Sequence, residues 1–222
     1  MNDLSRHLTE PGTITVVVLV IFIILIVAIY FFVKDLIEKR KESYRRISMM
    51  TNIDELTHLY KKKFFHSLFE SELERAKRYE RNLCCAIIEI DNFNEIKDKY
   101  GEKFCDLVLQ DIGEIFTDDT RVHDICARYG DYSFASLMPE SNMESAMIVC
   151  KRLRGLIEGC KFNIEDTNEA VRVTVSIGLA SSKEFFQDED INPDKILEIA
   201  NKALHLAKEN GGNRVECFTG NT

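Results

Sequence analysis

The sequence predicts an α/β (α+β) domain of the split, ferredoxin-like kind, β-α-β-β-α-β, preceded by one transmembrane helix. Three observations carry this. Segments that read as strands at 83–90, 122–129, 134–138 and 171–177 are interleaved with helix-period segments at 103–116 and 143–157. The two middle runs flank Gly130-Asp131, a tight-turn dipeptide that joins them as a hairpin. A stretch of 21 residues without charge or proline fills 13–33, and at ~1.5 Å per residue it covers the ~30 Å hydrocarbon core of a bilayer.

The organisation follows in chain order. Residues 1–12 are a short arm outside the cytoplasm, too short to fold alone. The span at 13–33 ends in Tyr30, Phe31, Phe32 and Val33, without the small-residue cleavage site of a signal peptide, so it reads as an uncleaved anchor. Lys34, Lys39, Arg40, Lys41, Arg45 and Arg46 follow it, against Arg6 alone before it. Positive charge stays inside, which places the protein in the inner (cytoplasmic) membrane as a single-pass chain, N-terminus outside and C-terminal domain in the cytoplasm. Residues 34–51 read as a juxtamembrane signalling helix with a weak heptad that permits a homodimer. The globular domain is 52–222. Residues 34–222 carry −7 of the net charge of −8, which argues against a nucleic acid partner.

Within that domain, Phe64, Phe65, Leu68, Phe69 and Leu73 mark one face of a helix. Residues 83–90 are apolar apart from Glu89, as in a buried strand. Residues 171–177 alternate Val171, Val173, Val175, Ile177 with Arg172, Thr174, Ser176, as in a half-buried strand. The last helix has Asn192 as N-cap, Pro193 at its first position, and Gly211-Gly212 at its end. Seven cysteines lack zinc-ligand spacing and read as free apolar thiols. His58, His123 and His205 read as packing or surface residues.

The chain reads R-V-H-D-I-C-A-R-Y-G-D-Y-S-F over 121–134, D-E-L-T-H-L over 54–59, E-I-D-N-F over 89–93 and D-K-Y-G over 98–101. V-T-V-S-I-G follows over 173–178, then Ala203, Leu204, Ala207, Lys208, Gly211 and Asn213. In order and spacing these motifs resemble those of GGDEF domains, the diguanylate cyclases that condense two GTP into cyclic di-GMP. The resemblance spans 54–218 and implies their palm-type fold.

The departures from that pattern bear on function. The family's hairpin is R-Y-G-G-D/E-E-F; Arg128, Tyr129, Gly130 and Phe134 match, whereas Asp131, Tyr132 and Ser133 replace a glycine and two acids. The family's divalent metal is held by the first D-x-D aspartate and the third hairpin residue, here Glu89 and Tyr132. Asp131 is no substitute, because a one-residue shift in a strand turns a side chain to the other face. Lys97 stands for a guanine-contacting asparagine, Asn94 for a lysine and Gly212 for a phosphate-holding arginine. Glu89, Asp106 and Lys208 remain. The resemblance with these losses implies no metal, no cofactor and no enzymatic activity.

Nine residues before Gly130 stands R-x-x-D, Arg121 to Asp124, at the spacing of the family's product-binding inhibitory site. There the arginine forks onto guanine and phosphate while the aspartate accepts from the guanine edge. A second arginine comes from the following helix, for which Arg152 is a closer match than Arg154. The bland alternative is a surface ion pair contributing ~0–1 kcal/mol. The expectation is a membrane-anchored, catalytically inactive receptor that binds cyclic di-GMP through Arg121, Asp124 and Arg152. It would regulate a membrane partner such as an exopolysaccharide synthase. The alternatives are a nucleotide-independent dimerisation scaffold and a residual diguanylate cyclase.

Overall fold

In the computed structural model, which describes Lys34 and residues 52–164, 170–186 and 191–218, the domain begins with β1 (Tyr60–Lys61) and α1 (Lys62–Tyr79). Then come β2 (Leu83–Ile90), α2 (Phe93–Tyr100), α3 (Glu102–Asp119), β3 (Ile125–Arg128), β4 (Ser133–Pro139) and α4 (Met143–Gly159). The rest is β5 (Phe162–Asn163), β6 (Ala170–Val171), β7 (Val175–Ser181), a 3₁₀ turn at Lys183–Phe185, α5 (Pro193–Glu209) and β8 (Val215–Cys217).

One mixed sheet runs β1-β3-β4-β2-β7-β8, with β5-β6 as a separate hairpin. Its centre, β3-β4-β2-β7, is antiparallel, and the outer strands β1 and β8 add in parallel. The central order is the one the split βαβ pattern requires.

β2 is apolar apart from Glu89 because both of its faces are covered. Cys84, Ala86, Ile88 and Ile90 meet Phe104, Val108, Ile112 and Phe116 of α3 and Val149, Leu153 and Ile157 of α4 in one core. Leu83, Cys85 and Ile87 meet Phe65, Phe69 and Leu73 of α1 and Ile196, Ala200 and Leu204 of α5 in the other. The period of two divides one strand between two hydrophobic layers. Helix α5 starts as its sequence specifies: the Asn192 side chain accepts from the Lys195 N–H at 3.0 Å, with Pro193 inside the first turn.

Three elements differ from expectation. The strand at 122–129 starts only at Ile125, because Arg121 and Asp124 close a turn before it: the Asp124 N–H donates to the Arg121 carbonyl at 2.9 Å. The segment 171–177 divides between β6 and β7, and β7 is buried along its whole length, not on one face. Its polar members are there for a partner, since Thr174 and Ser176 donate to Asp91. Helix α2, ahead of α3, has no fully buried residue, and its apolar face against the core is only Phe93, Ile96 and Tyr100, too brief to mark it in the sequence.

The membrane placement is corrected. Among the described residues no helix is long and apolar enough to cross a membrane. The segment 13–33 on which the single-pass, inner-membrane expectation rested lies outside them, as does 35–51 of the juxtamembrane helix.

Candidate active site and ligand cavity

The hairpin between β3 and β4 is closed by the Ser133 carbonyl, which accepts from the N–H groups of Tyr129 at 2.8 Å and Gly130 at 3.1 Å. Arg128 ties it to the opening of the domain: its guanidinium donates to Asp54 at 3.3 Å and to the Asp131 carbonyl at 3.1 Å. Asp54 also takes the backbone N–H and hydroxyl of Thr57, at 3.0 and 2.8 Å. Burial raises the Asp54 carboxyl, but the Thr57 hydrogen bonds and the Arg128 charge outweigh it and hold the group below its ordinary range.

At the end of β2, Glu89 is ion-paired with Lys208 of α5, so the fold brings together two of the three retained positions. Asp106 lies apart, exposed on α3. Asp91 accepts three hydrogen bonds, from Thr174 Oγ1 at 2.7 Å, Ser176 Oγ at 2.6 Å and the Asn213 N–H at 3.0 Å. The Tyr132 ring stacks on Phe93, centroids 5.0 Å apart and planes at 17°, while its carbonyl accepts from the Ile90 N–H at 3.2 Å. Ser133 sits opposite Glu89 across the β2-β4 ladder. Asp131 is exposed, and Lys97 is drawn to Glu102 at 3.5 Å. Asn213, held in the left-handed region, is clamped by Arg154 at 2.6 Å and Glu158 at 2.7 Å.

The divalent cation that the resemblance implies calls for several oxygen ligands in near-octahedral array. The donors present do not fit it. Glu89 carries an ammonium, Asp91 has three donors on it, and residue 132 presents a stacked ring in place of a carboxylate.

The R-x-x-D segment forms a second centre. The Asp124 carboxylate accepts from the Arg121 backbone N–H at 3.0 Å, so the pair is a self-closed turn. Val122 inside it is 97% exposed. Arg121, His123 and Asp124 line a cavity of about 330 Å³ with Arg75 of α1 and Glu140. Burial pushes the Asp124 carboxyl up, against the Arg121 N–H and the charges of Arg121, His123 and Arg152. Arg152 acts from a distance, outside the cavity lining: it donates to the Asp119 carboxylate at 2.7 Å and carbonyl at 2.8 Å.

Sequence reasoning missed Arg75, which stands on a helix rich in exposed charge where nothing local distinguishes it. It also assigned no role to Phe93, Thr174, Ser176 or Asn213, although each lies within a quoted motif. The described cysteines are thiols outside any disulfide, and burial pushes those of Cys85 and Cys150 far up and that of Cys126 to about 11, which leaves these three inert.

Residues 51–214 match the family described as "Diguanylate cyclase, GGDEF domain". The chain is 30% identical over 189 residues to diguanylate cyclase DosC of Escherichia coli (strain K12), covering 84% of this chain and 39% of that protein. It is 34% identical over 170 residues to diguanylate cyclase A of Treponema denticola, covering 75% and 44%. The solved GGDEF domain of DgcB from Caulobacter crescentus, in complex with c-di-GMP, shares the fold at a TM-score of 0.69 and 24% identity, over 75% of this chain and 92% of that one. The chain spans about two fifths of the length of the two curated relatives.

These findings overturn the expectation that the chain is no enzyme. That expectation weighed the substitutions in the hairpin and at Asn94, Lys97 and Gly212, whereas the whole domain is similar to proteins named as cyclases. The expected polysaccharide-synthase partner gains no support from them.

Proposed function

This chain belongs to the GGDEF domain family, and from that premise we propose that it is a cyclic di-GMP signalling domain with residual diguanylate cyclase activity. The reaction joins the 3′ oxygen of each GTP to the α-phosphorus of the other, releasing two pyrophosphates. The observation that carries the reading is the meeting of Glu89 and Lys208 from β2 and α5. The ammonium suits a phosphate oxygen, and the carboxylate suits the proton of an attacking hydroxyl. Turnover is slow, because Tyr132 and Ser133 contribute no carboxylate beside it. Incubation of the full chain with GTP and Mg²⁺ or Mn²⁺ tests this by chromatography. Slow accumulation of cyclic di-GMP, abolished by Glu89→Gln, is expected; no product from the wild type rejects it.

Cyclic di-GMP binds in the cavity of Arg121 and Asp124. Supporting this are Arg75 and Arg121 as donors and the Asp124 carboxylate as an acceptor, in a cavity that Glu72 and Glu140 also line, a donor and acceptor set suited to guanine and phosphate. Calorimetric titration of cyclic di-GMP is expected to show a loss of about tenfold or more, ~1.4 kcal/mol, in Arg121→Ala. An unchanged affinity in that variant places the ligand elsewhere.

A further inference from the structure

The mismatch between the donors at the Glu89 end and a divalent cation points to a specific arrangement, and it rests on the reading of that end as the nucleotide-facing one. We propose that this end holds no divalent ion of its own: Lys208 supplies the fixed positive charge there, and a divalent ion enters only as a companion of the nucleotide's phosphates.

Three features converge on this. The Lys208 ammonium sits on Glu89 as an ion pair, both side chains being half-buried, at 36% and 20% exposure. A divalent ion approaching that carboxylate meets a like charge at close range and must displace the pair. Asp91, two residues further along the chain, already accepts three hydrogen bonds, two from the hydroxyls of Thr174 and Ser176 and one from the Asn213 N–H. Withdrawing it for a metal would leave those buried or half-buried donors unsatisfied. The Asn213 contact is itself held by Arg154 and Glu158, so Asp91 is fixed from a third element, α4. Finally, residue 132 is fixed by its ring stacking on Phe93 and by the Ile90 N–H on its carbonyl, and it brings no second carboxylate. One ion-paired carboxylate falls short of the several oxygens that Mg²⁺ or Mn²⁺ requires. A triphosphate carries the missing oxygens, and it also meets Lys208 as a phosphate-seeking cation.

Mn²⁺ titration of the full-length chain in the absence of nucleotide, followed by the electron paramagnetic resonance signal of the free ion, reads this directly. The wild type is expected to leave the signal undiminished at protein concentrations of about 100 μM, the range in which protein-built sites deplete it. Tyr132→Glu, which puts a carboxylate at the hairpin position that the resemblance assigns to the metal, is expected to bind one ion at least about tenfold more tightly. The double variant Glu89→Gln/Tyr132→Glu loses that gain. Lys208→Met, removing the competing ammonium, strengthens binding to a smaller degree. One Mn²⁺ bound by the wild type as tightly as by Tyr132→Glu, and released by Glu89→Gln, overturns the proposal. So does a Tyr132→Glu variant with wild-type circular dichroism and no gain. The measurement contains no GTP, so a failure of the cyclase assay leaves this inference standing, and its own failure leaves the cyclase reading standing.

Discussion

Glu80 ends α1 at φ 51° and ψ 36°, in the left-handed region, while the next residue's N–H returns to the Ala76 carbonyl at 2.9 Å. This is the helix-terminating geometry that glycine adopts without the Cβ penalty. Glu80 is exposed, so its side chain offers little in return. Glu80→Gly is expected to stabilise the domain by about 1 kcal/mol, read as a higher midpoint in urea at unchanged slope. Glu140 also has a positive φ, 56°, but there ion pairs with Arg75 and Arg81 accompany the strain. Both positions are silent in the sequence, since glutamate gives no sign of a left-handed backbone. The residue identities that did speak were Asn192 and Pro193, whose preferences are local and were met locally.

Among elements, the hairpin and the opening segment are joined through Arg128 and Asp54. The Asp54 carboxyl titrates below its ordinary value in the folded chain, so its contribution is complete above the unfolded value near ~4 and is lost as pH falls through the folded one. An Asp54→Asn variant should therefore be less stable than wild type at neutral pH and converge with it in acid. Parallel urea titrations between pH 7 and the acid limit of folding check this; a gap independent of pH excludes the charge as its cause. The hairpin and the D-x-L-T segment were each legible as motifs, and their contact was not. Sequence separation hides a hydrogen bond formed between elements that are distant along the chain. The same holds for the ion pair of Glu89 with Lys208, and for Arg75 and Arg121, which come together only as linings of one cavity.

At the scale of the whole molecule, a single sheet separates two cores, and its thickness is set where α5 crosses β7. A Cβ at Gly178 would lie 2.0 Å from the Ala200 carbonyl oxygen and 2.2 Å from the Leu204 nitrogen. Both are helix backbone, so the layers must part to admit it. Gly178→Ala is expected to destabilise by about 3 kcal/mol or more, at the upper end of overpacking effects, with a matching fall in melting temperature. Gly113 makes an analogous approach to the Thr57 carbonyl, at 2.4 Å. Glycines in V-T-V-S-I-G and in the middle of α3 thus carry the spacing of the layers. Equal stability of Gly178→Ala and wild type excludes this account of the packing.

The sequence by itself determined the α/β class, the order of the central strands and helices, the start of α5 and the family, because periodicity, caps and ordered motifs are properties of neighbouring residues. It also led to two expectations that did not survive: a single-pass membrane protein and a protein without enzymatic activity. The tertiary structure decided which charges meet. It set Lys208 on Glu89, put three donors on Asp91, stacked Tyr132 on Phe93, opened a cavity between Arg75 and Arg121, and turned Arg152 to Asp119. The physical reason is that side-chain chemistry depends on distance in space, and only closure of the sheet between its two helical layers fixes those distances.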